Sequence, residues 1–326
     1  MAAGSELCGL IADIGGTNAR FAWVAEGAAG WHDEKIYQGA DYPSLADAVK
    51  AYLSDTAIPG AVRHAHFSVA GPVTGDHFSM TNSPWSFSVR GLASDIGLDQ
   101  LKLWNDFEAV AMAVPFLAPE YLRQCGGGAP VPQAPIGVLG PGTGLGMAGL
   151  FWQSGRYCAV PSEGAHATMA AVTRREFDIF QSLLGKYTHY SAERVCSGKG
   201  LVNLYEVIRS LDGKTALPDL TPAEISTKGM AGSCPVCAES MTLMMRFLGR
   251  VAGNLALTFA ARGGVYVAGG IVPKLGDYIF NSDFRTEFES KGRFRPFMED
   301  IPVYIVTHPF PAFVGLTAHI RDDMKG

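Results

Sequence analysis

Charge is scarce in this sequence: Asp, Glu, Lys and Arg together make up 17% of its 326 residues. The 31 acidic residues outnumber the 26 basic ones, for a formal net charge of −5. Such a balance leaves no basic footprint, so neither nucleic acid nor a membrane surface is an expected partner. Long apolar runs are missing too. Charges such as Glu108 and Arg262 interrupt them before the roughly 18 residues that a spanning helix needs. No basic segment precedes the first apolar run, so no signal peptide is expected and the cytoplasm is the expected location. The six cysteines, Cys8, Cys125, Cys158, Cys196, Cys234 and Cys237, are too irregular for a disulfide framework. Cys234-Pro-Val-Cys237 makes one C-x-x-C, but the second pair or nearby H-x-H that a zinc site requires is lacking. These two are read as loop cysteines.

Apolar surface and glycine are what the chain does have. Hydrophobic types reach 48%, enough for a sizeable core and too many for a disordered chain. Glycine occupies 39 positions, about 12% against a usual ~7%, which points to tight loops that approach ligands. At roughly 150 residues per domain the length suggests two domains.

Periodicity orders the first third. Leu7–Asp13 reads as an apolar strand, Gly15-Gly16 as a turn, and Asn18–Val24 as the antiparallel partner. His32–Gln38 is a third strand. A helix follows Pro43 to about Ser54, with Leu45, Ala48, Val49, Tyr52 and Leu53 on one side. Then come strand Val62–Val69, a short helix near Arg90–Ile96, strand Leu101–Trp104 and a helix from Asn105-Asp106 to about Phe116. The second part opens similarly, with strands Pro135–Leu139, Gly144–Trp152 and Tyr157–Val160 after a Gly/Pro-rich connector, Gly126–Gln133. A long helix from about Glu239 to Ala261 carries Met241, Met245, Leu248, Val251, Leu255 and Phe259 along one stripe. It leads through Gly263-Gly264 to a buried strand, Val265–Ala268, and a second glycine pair, Gly269-Gly270, ahead of a further helix.

Two glycine turns could carry chemistry. In Asp13-Ile-Gly-Gly-Thr-Asn-Ala-Arg20, Gly15 and Gly16 leave backbone N–H groups unobstructed and Thr17 adds a hydroxyl, a nest suited to phosphate. Asp13 at the strand end could hold Mg²⁺, most simply through water. An ordinary hairpin with an acidic edge fits the same residues. Gly140-Pro-Gly-Thr-Gly-Leu-Gly146 opens the second part at the equivalent place. Gly144, Gly146 and Gly149 also satisfy G-x-G-x-x-G, but a dinucleotide fold needs a helix next, and Leu150-Phe-Trp152 reads as strand. An NAD-dependent dehydrogenase is therefore the weaker rival.

The segments DIGGTNAR, WNDFEAVAMAVP, LGPGTGLG, VPSEGAH, SAERVCSGKGLVNLY and GGVYVAGGIVPK, in that order, resemble the bacterial glucokinase family. The zinc-binding cysteine cluster of the repressor–kinase sugar kinases is missing. The resemblance spans about residues 9–320 and implies an α/β, actin-like ATPase fold of two ribonuclease-H-like domains around a cleft. Residues 1–115 with 307–326 would form the small domain and 116–306 the large one. It implies a glucokinase using ATP and Mg²⁺ to make glucose 6-phosphate, a hinge that closes on sugar, and a homodimer.

The same resemblance assigns residue roles. Asp13, Gly15, Gly16, Thr17, Asn18 and Arg20 would meet ATP from one side and Gly142, Thr143 and Gly144 from the other, with Gly269 and Gly270 at the adenosine and Asp13 at the metal. Asn105, Asp106, Glu163, His166 and Glu193 would bind glucose, Asp106 accepting the 6-hydroxyl proton. Read alone, Asn105 with Glu108 has capping-box spacing, and a Glu or His of this kind is more often structural or solvated. Ser162 and Ala165 stand where glycine is expected, and Phe313 is bulkier than expected. A kinase of another hexose and a non-catalytic sugar or nucleotide sensor are the remaining alternatives.

Overall fold

The computed structural model describes residues 7–27, 29–80 and 85–325; the absence of a leader, expected from residues 1–6, concerns a segment outside them. The chain divides into two compact units, one of residues 1–117 with 308–326 and one of 118–307.

In the first unit, β1 (Leu7–Ile14), β2 (Asn18–Ala25) and β3 (His32–Gln38) meander. They are followed by α1 (Leu45–Asp55), β4 (Ala61–Val69), the small hairpin β5 (His77–Ser79) and β6 (Ser86–Ser88), α2 (Val89–Ile96), β7 (Gln100–Asn105) and α3 (Asp106–Ala113). The sheet order is β3-β2-β1-β4-β7, antiparallel across β1–β3 and parallel across β1, β4 and β7. β1 reads as a continuous apolar run because both of its faces are covered. Leu10, Ala12 and Ile14 join the core with Phe21, Tyr52 and Phe67, while Gly9 lies under the C-terminal helix, Pro311–Met324. A Cβ on Gly9 would sit 2.6 Å from Ile320 Cδ1. Along α1, Leu45, Ala48, Val49 and Tyr52 are buried and Leu53 half-buried. The large Phe313 finds room edge-on to Trp31, with ring centroids 5.5 Å apart.

The second unit holds β8 (Leu122–Gln124), β9 (Ile136–Pro141), β10 (Leu145–Gln153), β11 (Arg156–Ser162), β12 (Val265–Val267) and β13 (Val303–Val306). Their order is β11-β10-β9-β12-β13-β8. Its first five strands repeat the plan of the first sheet, three antiparallel then two parallel. The helices are α4 (Arg174–Leu184), α5 (Gly198–Leu211), α6 (Pro222–Met230), α7 (Pro235–Phe259), α8 (Phe284–Glu289) and α9 (Arg295–Asp300).

Among the boundaries that differ from the sequence expectation, three have a plain physical reason. α7 starts four residues before Glu239, because Pro235 takes its first position, where a missing N–H costs nothing. α3 ends at Ala113 and tightens into a 3-10 turn, Val114–Phe116, containing Pro115. After Gly269-Gly270 the chain makes only a 3-10 turn, Val272–Leu275, rather than a longer helix. α7 is also buried nearly all round rather than along a stripe. Glycine lets α8 cross it: a Cβ on Gly249 would sit 2.2 Å from Phe284 O. Arg250 beside that crossing holds both oxygens of Glu176 (2.8 and 2.9 Å) and of Glu287 (2.7 and 3.0 Å). A buried cation satisfied this fully is costly to unpair.

Candidate active site

In the first unit the parallel strands β1, β4 and β7 end together, the edge at which open α/β sheets bind ligands. Registers pair Asp13 with Ser68, and Ser68 with Trp104. Ser68 Oγ donates to Asp13 Oδ1 at 3.1 Å. Arg20 stands opposite Asp13 on β2, its Nη1 4.0 Å from Asp13 Oδ2 and its Nε 3.1 Å from Glu34 Oε1. Its guanidinium also lies 4.5 Å over the Phe310 ring. Desolvation raises the Asp13 pKa, opposed by the Ser68 hydroxyl and Arg20, although 38% of the side chain remains exposed. A carboxylate so placed, with one cation at a loose 4.0 Å, has unused lone pairs and gains from a second positive charge. It fits a hydrated Mg²⁺.

Between β1 and β2 the turn closes by Gly15 N–H donating to Asn18 O at 2.9 Å. That bond takes one donor out of the nest. Thr17 and Asn18 are exposed at its tip, and Thr17 O accepts from Gly39 N–H at 2.8 Å.

Asn105 ends β7 and caps α3. Its Oδ1 accepts from Phe107 N–H (2.9 Å) and Glu108 N–H (3.2 Å), and its Nδ2 donates to Gly71 O (3.1 Å). The cap is therefore Asn105, and only one amide hydrogen is left for a ligand. Asp106 opens the helix, with Oδ1 accepting from Phe107 N–H at 2.9 Å. An anionic side chain suits that first turn. Burial raises the neighbouring Glu108, opposed by the Asn105 backbone N–H.

In the second unit, the β9–β10 turn presents Thr143 exposed at its tip, while Gly142 N–H donates to Gly144 O at 2.8 Å. Glu193 grips this turn from outside: its Oε2 accepts from Leu145 N–H at 3.1 Å. A Cβ on Gly144 would sit 2.5 Å from that same oxygen. Gly198 N–H, at the start of α5, donates to Gly142 O at 2.9 Å. On the other side Gly269 adopts φ +82°, and a Cβ there would lie 2.6 Å from Pro141 O. Gly269 and the exposed Gly270 thus run directly beside the end of β9.

Glu163 and His166 flank a 3-10 turn, Gly164–His166, with Glu163 Oε2 3.6 Å from His166 Nε2. Both are well exposed, so this loose pair is readily redirected to a ligand. Ser162, at an expected glycine, shapes the turn by accepting from Gly164 N–H at 3.1 Å, and Ala165 packs beneath it. Ala192 N–H donates to Ala167 O at 3.0 Å, tying this turn to the one that carries Glu193. The structure so brings Glu163, His166, Glu193, the 142–144 loop and Gly269-Gly270 into one neighbourhood of the second unit. Asp13, Arg20, Asn105 and Asp106 share the strand edge of the first.

The residue reading passed over Ser68, Gly71 and Ser197. Ser197 Oγ donates to Glu193 O (2.8 Å) and accepts from Gly200 N–H (2.9 Å), fixing the Glu193 turn to α5. Ala70-Gly71-Pro72 at a strand end and the Ser-Gly pair before α5 were the available signals.

Compared with known proteins, residues 10–323 match the family model described as Glucokinase. The chain is 47% identical over 315 residues to a glucokinase of Paramagnetospirillum magneticum, covering 96% of this chain and 97% of the relative. It is 44% identical over 316 residues to a glucokinase of Cronobacter sakazakii, covering 97% of each. Among solved structures, a glucokinase from an Antarctic psychrotroph aligns with a TM-score of 0.86 at 33% identity, covering 97% of this chain and 99% of that one.

Proposed function

The chain belongs to the glucokinase family, and on that premise we infer that the protein transfers the γ-phosphoryl group of ATP to the 6-hydroxyl of glucose. The products are glucose 6-phosphate and ADP. Its fold is the actin-like ATPase fold of the sugar kinases. The observation that carries the activity is the family match along nearly the whole chain.

The residue roles are our proposal. Phosphoryl transfer asks a protein for positioning and charge stabilisation more than covalent chemistry. Asp106 accepts the proton of the glucose 6-hydroxyl as that oxygen bonds to the γ-phosphorus and the bond to the β–γ bridging oxygen breaks. Its support is a position in the first turn of α3, beside the Asn105 cap. Asn105 offers its remaining amide hydrogen to a sugar hydroxyl. Glu163, His166 and Glu193 read further hydroxyls, a carboxylate accepting from two at once. Gly15, Gly16, Thr17, Asn18 and Arg20 meet the phosphates together with Gly142, Thr143 and Gly144, and Gly269 and Gly270 lie against the adenosine. Asp13 holds hydrated Mg²⁺, which when bound neutralises phosphate charge. A cytoplasmic homodimer completes the reading; among the described residues no helix is long and apolar enough to cross a membrane.

A product assay tests it. Purified protein with Mg·ATP is given glucose, mannose, fructose, galactose or N-acetylglucosamine separately, and phosphorylated sugar is identified by mass and NMR. Glucose 6-phosphate should form far faster than any other product. Another hexose winning would reassign the hydroxyl-reading residues, and ATP binding without product would favour a sensor. Light scattering should return twice the chain mass.

A further inference from the structure

The phosphoryl transfer leaves one motif without a task. Cys234 and Cys237 were read as loop cysteines, but Cys234 is the N-cap of α7 and Cys237 lies in its first turn, with Pro235 between them. Cys237 is fully buried and Cys234 half-buried, and both are free thiols. Beside Cys234 is a pocket of about 580 Å³, lined by Tyr205, Leu217, Leu220 and Val236, with Lys214 and Lys228 among its walls. That volume suits a small organic ligand, and the two lysines favour one that carries carboxylates.

The two thiols differ in the way an exchanging pair requires. Burial works to raise Cys234, yet the backbone N–H and thiol of Cys237, the Val236 N–H and Lys228 together bring it below the ordinary thiol range. Cys234 makes no side-chain capping hydrogen bond, and it lines the pocket. Burial, the bond to Cys234 and its charge push Cys237 up to about 12. One sulfur is an accessible nucleophile and the other a covered resolving thiol.

We propose that Cys234 and Cys237 form a redox-active dithiol that exchanges with small carboxylate-bearing disulfides of the glutathione type, which dock in the adjoining pocket. The Cys234 thiolate attacks one sulfur of the disulfide, forming a mixed disulfide and releasing the first thiolate. With Cys234 uncharged in the mixed disulfide, Cys237 loses its proton to water and attacks Cys234 Sγ, expelling the second thiolate; the proton is taken up by the released thiolates. The reagent is reduced to two thiols as the protein pair is oxidised to a disulfide.

The test treats reduced full-length protein with oxidised glutathione and reads intact and peptide masses after acid quench. The expected product has lost two hydrogens and yields a peptide joining Cys234 to Cys237. Cys237→Ser should stop at one glutathione on Cys234, and Cys234→Ser should show neither product. Alkylation of wild type needs no variant and uses the half-buried Cys158 as internal control. Below neutral pH iodoacetamide should label Cys234 severalfold faster than Cys158. Six thiols surviving oxidised glutathione, or Cys158 reacting first, would overturn the proposal.

Discussion

Replacing Gly144 with alanine separates the proposed sugar site from the stability of the fold. The added methyl would lie 2.5 Å from Glu193 Oε2, where ordinary contact begins at 3.4 Å. Among the described residues, chain neighbours aside, only Glu193 Cδ at 3.3 Å also stands within 4 Å, so the backbone need not move and the carboxylate must, by about 1 Å. Glu193 then gives up the Leu145 N–H, but Glu193 is only half-buried and water replaces much of that bond, so the fold should lose about 1 kcal/mol. A charged hydrogen bond to a sugar hydroxyl is worth about 1.5–3 kcal/mol; its loss raises the glucose Kd roughly 10- to 150-fold. Calorimetric titration with glucose, alongside thermal unfolding, measures both quantities. Glu193→Gln should weaken glucose binding through the same group, and the double variant should add little to either single one. Unchanged glucose affinity in Gly144→Ala, or fully additive losses, would refute the proposed link between this turn and the sugar.

Gly315→Ala tests the seat of α3: a Cβ there would lie 2.3 Å from Ala109 O and 2.9 Å from Ala113 N, both backbone. Overpacking of about 1–3 kcal/mol exceeds the ~1 kcal/mol helix-propensity gain, so Tm should fall. Because α3 carries Asp106, kcat should fall by about 100-fold for each ångström it moves; a lower Tm with unaltered kcat would separate the two. His66 sets part of the acid response. Its Nε2 donates to Asp323 Oδ2 at 2.8 Å, while its buried Nδ1 has no hydrogen-bond partner among the described residues, so a second proton would be stranded. Burial first, then Lys102 and His319, lower its pKa from 6.5 to about 4 against the pull of Asp323. The unfolded chain therefore binds more protons between these values, and stability present above about pH 6.5 is lost as pH falls to about 4, by about 3 kcal/mol in all. Urea unfolding of His66→Gln should show a flatter loss across that window, and an identical pH profile would contradict this origin.

The first sheet was legible because its signals are local. An apolar run, a glycine pair and a second apolar run make β1 and β2 without help from elsewhere, and the same plan repeats at β9 and β10. The middle of the second unit was not read, although Thr173 with Glu176 and Thr221 with Glu224 form capping boxes that mark the starts of α4 and α6. Cys234 and Cys237 read as loop residues, yet Pro235 between them opens a helix. What no periodicity could show is the meeting of distant segments. Glu193 and Gly144 were both named, but their contact joins positions 48 residues apart at Leu145. Arg250 reaches Glu176 across 74 residues. Ser68 beside Asp13 follows only from the register of β4 on β1.

Asp106→Asn is the most direct test of the account. Asn keeps an oxygen that can accept from Phe107 N–H, so the helix start survives while the proton acceptor is lost. The reading predicts that kcat for glucose 6-phosphate formation falls by about 100- to 10,000-fold while the calorimetric Kd for glucose changes by less than about tenfold. Near-normal turnover in that variant would contradict the assignment of Asp106 as the base.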